Sequence, residues 1–147
     1  MGDNVITSIL FLLILGILIA LAFQIVNILR IQDIYRKTGG KIESEDDLIL
    51  TKGVINFSME AAMVYIVFAI VFVVLLFVLS QGKYIMDAIK ALFLFGIITL
   101  PIGLIGKNFE KKIKEMNVIT ESEEIKKRYK DYLQQWGKVR FRIREES

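Results

Sequence analysis

MVYIVFAIVFVVLLFVL, residues 63–79, decides the fold, because it is an unbroken apolar run. Its many β-branched residues would favour a strand in water, but a lone strand in lipid leaves its backbone groups unpaired. Only a helix pairs those groups within a single segment. The run therefore predicts a membrane-spanning helix over about residues 58–80.

Two further apolar stretches lie on either side of this span. Residues 5–31 would reach about 40 Å as a helix, and residues 84–106 follow a short hairpin. The first stretch could also be a secretory signal peptide, but no positive charge precedes it and the apolar run continues past Ala22, the possible cleavage site. We therefore expect an all-α integral membrane protein with three transmembrane helices, over about residues 5–31, 58–80 and 84–106.

The composition excludes several classes of function. The chain has 147 residues, 54% of them hydrophobic, with no cysteine and no histidine. These absences exclude disulfides, thiolate nucleophiles, structural zinc, iron–sulfur clusters and the usual haem ligands, so we expect neither a cofactor nor an enzyme. Too few residues remain outside the apolar blocks for a second core, which predicts a transmembrane domain, residues 1–106, and a cytosolic tail, residues 107–147.

Basic residues are concentrated after the first and third spans, whereas the N-terminus has none and the hairpin has only Lys83. The positive-inside rule then predicts an outside N-terminus and a cytosolic C-terminus, and we expect the cytoplasmic membrane of a prokaryote. Acidic residues are interleaved with the basic ones, so the net charge of +3 does not indicate nucleic acid. Anionic lipid headgroups are the expected partners of lysines this close to the membrane.

The connection between the first two spans carries helix-ending and helix-starting signals. Gly39 and Gly40 are expected to end an extension of the first helix, since glycine adopts the left-handed conformation common at helix ends. Ser44, with Asp47 three residues later, matches a capping box and predicts a short turn.

The tail predicts two helices and an extended arm. Apolar residues at helical spacing indicate a helix over about residues 107–117, and a capping box formed by Thr120 and Glu123 indicates an amphipathic one over about residues 121–136. The apolar stripe of the second helix comprises Ile125, Tyr129, Tyr132, Leu133 and Trp136. This stripe could lie in the membrane interface or against a partner.

Residues 138–144 alternate, with Val139, Phe141 and Ile143 between arginines. This period of two predicts a short extended arm, with its apolar side chains on one face, that could pair with an exposed sheet edge of another protein. An unpaired strand is not stable alone, so an ordered arm would imply a partner.

A few polar residues within the spans are candidate functional groups. Asp87 and Lys90 are three residues apart on one helix face, so they form either a structural pair or partner contact, or part of an ion path. Glu60 is either a proton- or cation-binding carboxylate or a marker of the membrane interface. Gln24 and Asn27, one turn apart, can hydrogen-bond to another helix.

Two functions fit these patterns. The first is a small non-catalytic accessory or structural subunit of a larger membrane complex, whose helices pack against partner subunits and whose tail clamps a cytosolic face. Its expected contacts are Gln24, Asn27, Asp87, Lys90, Tyr129, Trp136, Val139, Phe141 and Ile143. The second is an ion- or proton-conducting or transport component acting as a homo-oligomer, with Glu60 and Asp87 on the possible ion path.

Overall fold

The computed structural model describes residues 3–81 and 84–145, without the side chain of Asp3. The elements are α1 (Asp3–Lys37), β1 (Lys41–Ile42), α2 (Glu45–Ser80), α3 (Ile85–Lys114), β2 (Asn117–Val118) and α4 (Glu123–Trp136). Helices α1, α2 and α3 are each long and apolar enough to cross a membrane. The prediction of a mainly helical chain with three helices that could span a membrane is confirmed.

Each long helix extends beyond its predicted span, and the additional turns all lie at one end of the bundle. We call this the tail end, because it holds the α1–α2 connection and everything after α3; the opposite end is the hairpin end. Helix α2 has 36 residues and thus a length of about 54 Å, well beyond the roughly 30 Å of a bilayer's hydrocarbon core. The extensions therefore lie outside the hydrocarbon, where polar side chains can be hydrated.

Two predicted helix boundaries in the α1–α2 connection are found in the structure. Gly39 and Gly40 have φ angles of 61° and 73° and follow the last turn of α1. Ser44 and Asp47 form both bonds of the capping box. The helix that they begin is the whole of α2 and not the short turn expected from the sequence.

The tail differs from its predicted organisation. Helix α3 continues through Gly106 to Lys114, so no separate helix covers residues 107–117. Gly106 lies against α1, where a Cβ would stand 3.5 Å from Gln24 Oε1, and the lysines and glutamate that follow favour helix. The N-cap of α4 is Ser122, whose hydroxyl accepts from the Ile125 N–H, and not Thr120.

A two-residue parallel ladder joins the two connections at the tail end. Lys41 pairs with Asn117 and Ile42 with Val118, and the Ile119 N–H donates to the Ile42 carbonyl at 2.9 Å. The Ile42 side chain is fully buried beneath it. The ladder, which the sequence analysis did not predict, holds the chain leading to α4 beside the start of α2.

Apolar side chains form two clusters. The tail-end cluster lies where α1, α2, α3, α4 and the arm meet; its buried members include Ile31, Ile42, Leu48, Ile55, Met59, Ile113, Tyr129, Tyr132, Trp136 and Ile143. The span cluster lies between the membrane-spanning halves of the helices; its buried members are Ile6, Ile9, Leu13, Ile17, Phe72, Leu79 and Ala88.

Gly16 of α1 lies close against α2 beside the span cluster. A Cβ there would lie 2.0 Å from Phe68 Cε2, so only glycine leaves room for this ring. The Phe68 ring packs in turn on Phe72 and Phe95, with centroids 5.8 and 5.9 Å away. Gly16 of α1 therefore packs on α2 of the same chain.

The spans bury little of their own surface. In the most apolar 18-residue window of each helix, 22% of the residues are buried in α1, 11% in α2 and 6% in α3. Exposed apolar side chains are normal where lipid is the solvent, since lipid tails are as apolar as leucine. Lipid or a partner protein must cover most of the exposed side chains in this window of α3.

Candidate functional site at the tail end

Four helices meet at the hydroxyl group of Ser58 on α2. Its Oγ accepts from Asn27 Nδ2 of α1 at 3.2 Å and from Trp136 Nε1 of α4 at 3.3 Å, and it donates to Glu110 Oε1 of α3 at 3.2 Å. A hydroxyl has one donor and two acceptor positions, so Ser58 uses its full capacity. The three contacts fix α4 to the ends of all three spans.

Asn27 is the most deeply placed polar member of this group. It is buried, and although its Nδ2 donates to Ser58, its Oδ1 has no partner among the described residues. An unpaired buried amide oxygen is unfavourable by roughly 1–3 kcal/mol. Asn27 thus makes the helix contact expected of it, but within its own chain.

Gln24, one turn away, lines a cavity of about 220 Å³ between the three spans. Tyr65, Thr99 and Lys107 contribute the other polar groups, and Ala20 and Gly103 form part of the apolar wall. Thr99 donates to the Phe95 carbonyl of its own helix. The cavity therefore combines an apolar wall with a few polar groups near the tail end of the spans.

The predicted arm, residues 138–144, is folded back on the chain and is not a strand; the name is used from here for residues 137–145, which follow α4. Gln135 of α4 accepts from the Arg144 N–H and donates to the Arg144 carbonyl, both at 2.8 Å, and the Ile143 N–H donates to Asn56 Oδ1 at 2.7 Å. These bonds provide the backbone partners that the sequence analysis assigned to another protein. An ordered arm therefore does not require one.

The apolar side chains of the arm do not share one face. Ile143 is buried in the tail-end cluster, whereas Val139 and Phe141 are 78% and 60% exposed. The reason is the series of bends at residues 138–142, which breaks the alternation of an extended strand. Val139 and Phe141 remain available for an external contact.

Glu145, near the end of the arm, binds three groups. Lys52 Nζ lies 2.6 Å away, the Tyr132 hydroxyl donates at 2.7 Å, and Arg128 donates at 3.2 Å. The hydrogen bond from Lys52, followed by that from Tyr132, lowers the pKa of Glu145 to about 2. Arg128 also binds Glu45 at the start of α2, so it connects α4 and the arm to that helix.

The aromatic stripe of α4 lies inside the chain. Tyr129 and Trp136 are both buried, and the Tyr129 hydroxyl donates to the Ile113 carbonyl at the end of α3. Burial raises the pKa of Tyr129 to about 12. In this conformation little of either ring is open to another protein, and a partner contact through them stays a prediction.

Glu60 lies at the tail end of the hydrocarbon span of α2 and binds Arg142 of the arm, with Nε 2.5 Å from Oε1. Asp87 and Lys90 lie at the hairpin end, in the first two turns of α3, with Nζ 3.7 Å from Oδ1. The α2 residues between Glu60 and Ser80 alone extend about 30 Å. Glu60 and Asp87 therefore lie at opposite ends of the bundle.

Ser58, Glu110, Gln135 and Glu145 belong to this site but were not predicted from the sequence. The first two stand among polar residues at the ends of apolar runs, which is a signal of interface position but not of mutual contact. Among residues 3–81 and 84–145, no cluster of three or more histidine, aspartate or glutamate side chains could hold a metal ion. The chain matches no family model, no curated protein and no solved structure.

Proposed function

We propose that the protein is a small non-catalytic subunit of a larger membrane complex and that α3 is the helix that docks on its partners. The observation that carries this proposal is the sparse cover of α3, with 6% of the residues in its most apolar window buried. A helix that its own chain covers so little, and that also carries a charged pair, is suited to contact with another protein.

The exposed face of α3 has the shape for helix packing. A groove of about 540 Å³ runs along it, lined by Phe93, Gly96, Ile97 and Pro101 among others. A Cβ at Gly96 would meet nothing within 4 Å, so a side chain from another helix can approach the backbone there. Lys90, seven residues before Ile97, lies along the same face.

Lys90 and Asp87 add a polar contact at the hairpin end of this face. Their side chains are 74% and 45% exposed, and the pair is loose at 3.7 Å. Charged groups facing lipid are unfavourable unless they reach headgroups or a partner. Pairing with a neighbouring subunit would satisfy both.

The tail was expected from the sequence to clamp a cytosolic face of the partner complex, and we now assign it a different role. It covers the tail end of its own bundle, so the spans, with Val139 and Phe141 of the arm, are the surfaces left for partners. We further propose that the tail end is cytosolic, on the asymmetry of basic residues. Cysteine accessibility tests this orientation, since the chain has no native cysteine: Lys127→Cys should be labelled from the cytosol and Gln81→Cys from outside.

Site-specific photo-crosslinking tests the docking proposal. A photoreactive phenylalanine analogue is placed at Phe93 on α3, and the matched control carries it at Phe11 on α1, since these rings are exposed to similar extents at 70% and 63%. After irradiation of intact membranes, we expect Phe93 to give one discrete adduct with a different, larger membrane protein and Phe11 to give mainly lipid adducts.

Two outcomes would count against it. Adducts between identical chains at Phe93, with a matching ring of single-chain mass in mild detergent, would favour the homo-oligomeric conducting component. Lipid adducts alone at both positions would show that α3 faces lipid, and the subunit proposal would fail.

A further inference from the structure

A second cavity, of about 220 Å³, lies between α2 and the beginning of the arm. Its lining includes Ala62, Met63 and Ile66 of α2, which we call the wall, and Trp136, Lys138 and Arg140, which we call the rim; Ser58 and Glu110 also line it. The wall is apolar, and the rim carries two cations.

The position of this cavity relative to the membrane follows from α2. The apolar run from Ala61 to Leu79 extends about 28 Å as a helix, which matches the hydrocarbon thickness of roughly 30 Å. Ala62, Met63 and Ile66 therefore lie just inside the hydrocarbon at the tail end. The rim of the cavity lies at headgroup level, where tryptophan is favoured.

The two cations on the rim have no carboxylate partner. Neither Lys138 nor Arg140 forms an ion pair with any residue in 3–81 or 84–145, and both side chains are exposed. The neighbouring Arg142, in contrast, binds Glu60. Glu110, which also lines the cavity, accepts from Ser58 and has Lys114 Nζ 3.9 Å from Oε2. The net charge of the rim is therefore positive.

We propose that this cavity binds one anionic phospholipid from the leaflet on the tail side of the membrane. Its phosphate lies beside Lys138 and Arg140, and the first part of an acyl chain lies along Ala62, Met63 and Ile66. A cationic rim directly above an apolar wall, at the depth where a phospholipid changes from headgroup to chain, favours this ligand over a soluble anion. Val139, exposed between the two cations, adds an apolar contact at the membrane surface.

Trp136 provides a local probe, because it is the single tryptophan of the chain and lies on the rim. The intact protein is reconstituted in phosphatidylcholine vesicles and titrated with phosphatidylglycerol brominated near the glycerol end of its chains, and in parallel with brominated phosphatidylcholine. Bromine quenches indole fluorescence only at short range. We expect half-maximal quenching at about a tenfold lower mole fraction of phosphatidylglycerol, since each cation near the surface contributes a several-fold preference.

Two pairs of variants test whether the preference for phosphatidylglycerol arises at this cavity. Lys138→Gln with Arg140→Gln should remove the preference, whereas Lys127→Gln with Lys130→Gln, an equal loss of unpaired charge on the exposed face of α4, should retain it. The second pair tests the apolar wall, with Ala22→Phe on the exposed face of α1 as its control. Ala62→Phe places a ring in the space beside the wall and should weaken quenching by phosphatidylglycerol several-fold. Ala22→Phe should not.

Three results would overturn the proposal. Equal quenching by the two brominated lipids would show no selective site, and an equal loss in both charge variants would show a general charge effect. Reversal of the quenching by millimolar inorganic phosphate would identify a soluble anion as the ligand. Far-ultraviolet circular dichroism of each variant verifies that the helices are intact.

Discussion

The apolar side chains of the three long helices are covered differently in the spans and at the tail end. In the spans, lipid or a partner protein covers the apolar side chains, and the chain buries few of them itself. At the tail end, water surrounds the helix extensions, so the chain must supply its own cover, and α4 with the arm does so. Ile31, Ile42, Leu48, Ile55 and Ile113 are all fully buried there.

The difference also shows in the polar contacts. In the spans, close packing depends on shape, as at Gly16 and Phe68. At the tail end, hydrogen bonds from side chains on different elements meet at Ser58 and at Glu145. A change in the tail end should therefore release a cooperative group of contacts, whereas a change in the spans should alter one helix pair.

The largest expected effect is at Tyr132, which is 1% exposed. Tyr132→Ala removes a buried ring and a donor to Glu145, and should lower the free energy of unfolding of the tail end by about 3–5 kcal/mol. This change in the free energy of unfolding is measured by urea titration in mild detergent, with Trp136 fluorescence emission as the signal. Phe141→Ala, which truncates an exposed ring of the same tail, is the control and should change the midpoint little; equal effects would mean that the tail is not packed as described.

Ser58→Ala should have the next largest effect. It leaves Asn27 Nδ2 and Trp136 Nε1 without their acceptor in a buried site, an effect of about 1–3 kcal/mol. The same urea titration should show a lower midpoint together with an altered Trp136 emission maximum. Ser80→Ala is the matched control, because Ser80 Oγ donates to the Phe77 carbonyl of its own helix. An unchanged emission maximum in Ser58→Ala would contradict the bond to Trp136.

Gly16→Ala tests the spans. The added methyl group displaces the Phe68 ring from its contacts with Phe72 and Phe95, which should destabilise the α1–α2 pair by about 1–3 kcal/mol, less the roughly 1 kcal/mol gained in helix propensity. Hydrogen exchange of the α1 and α2 amides in detergent should rise, with no change in Trp136 emission. Gly96→Ala, at an open position, should be neutral or stabilising; a similar rise in exchange there would refute the steric explanation.

The sequence predicted the spans better than the tail for a physical reason. In lipid, a long apolar segment forms a helix whatever it packs against, so residues 63–79 could be predicted without knowing their contacts. At the tail end, the structure depends on which side chains meet. Alternation at Val139, Phe141 and Ile143 indicated a strand, but the side chain of Gln135 captures the Arg144 backbone and bends the arm.

Helix boundaries show the same distinction on a smaller scale. The capping box of Ser44 and Asp47 is local, and it is present as predicted. At Gly106 the local sequence is not the whole explanation, because the residue also lies against α1, far away in the chain, and α3 continues where an end was expected.

The smallest expected effect is the pH dependence contributed by Glu145. Its pKa is lowered from 4.5 to about 2 in the folded chain, so its contribution to tail-end stability is fully present above about pH 5 and is lost as the pH falls from 4.5 towards 2. Urea midpoints of the native protein and of Glu145→Gln, monitored by Trp136 emission, should differ by a constant amount from pH 5 to 8 and converge near pH 2.

Because Glu145 is half exposed, salt should reduce the difference at pH 7. Convergence would mean that Glu145 stabilises the arm through its negative charge; a difference that persists at pH 2 would mean that it does so by packing.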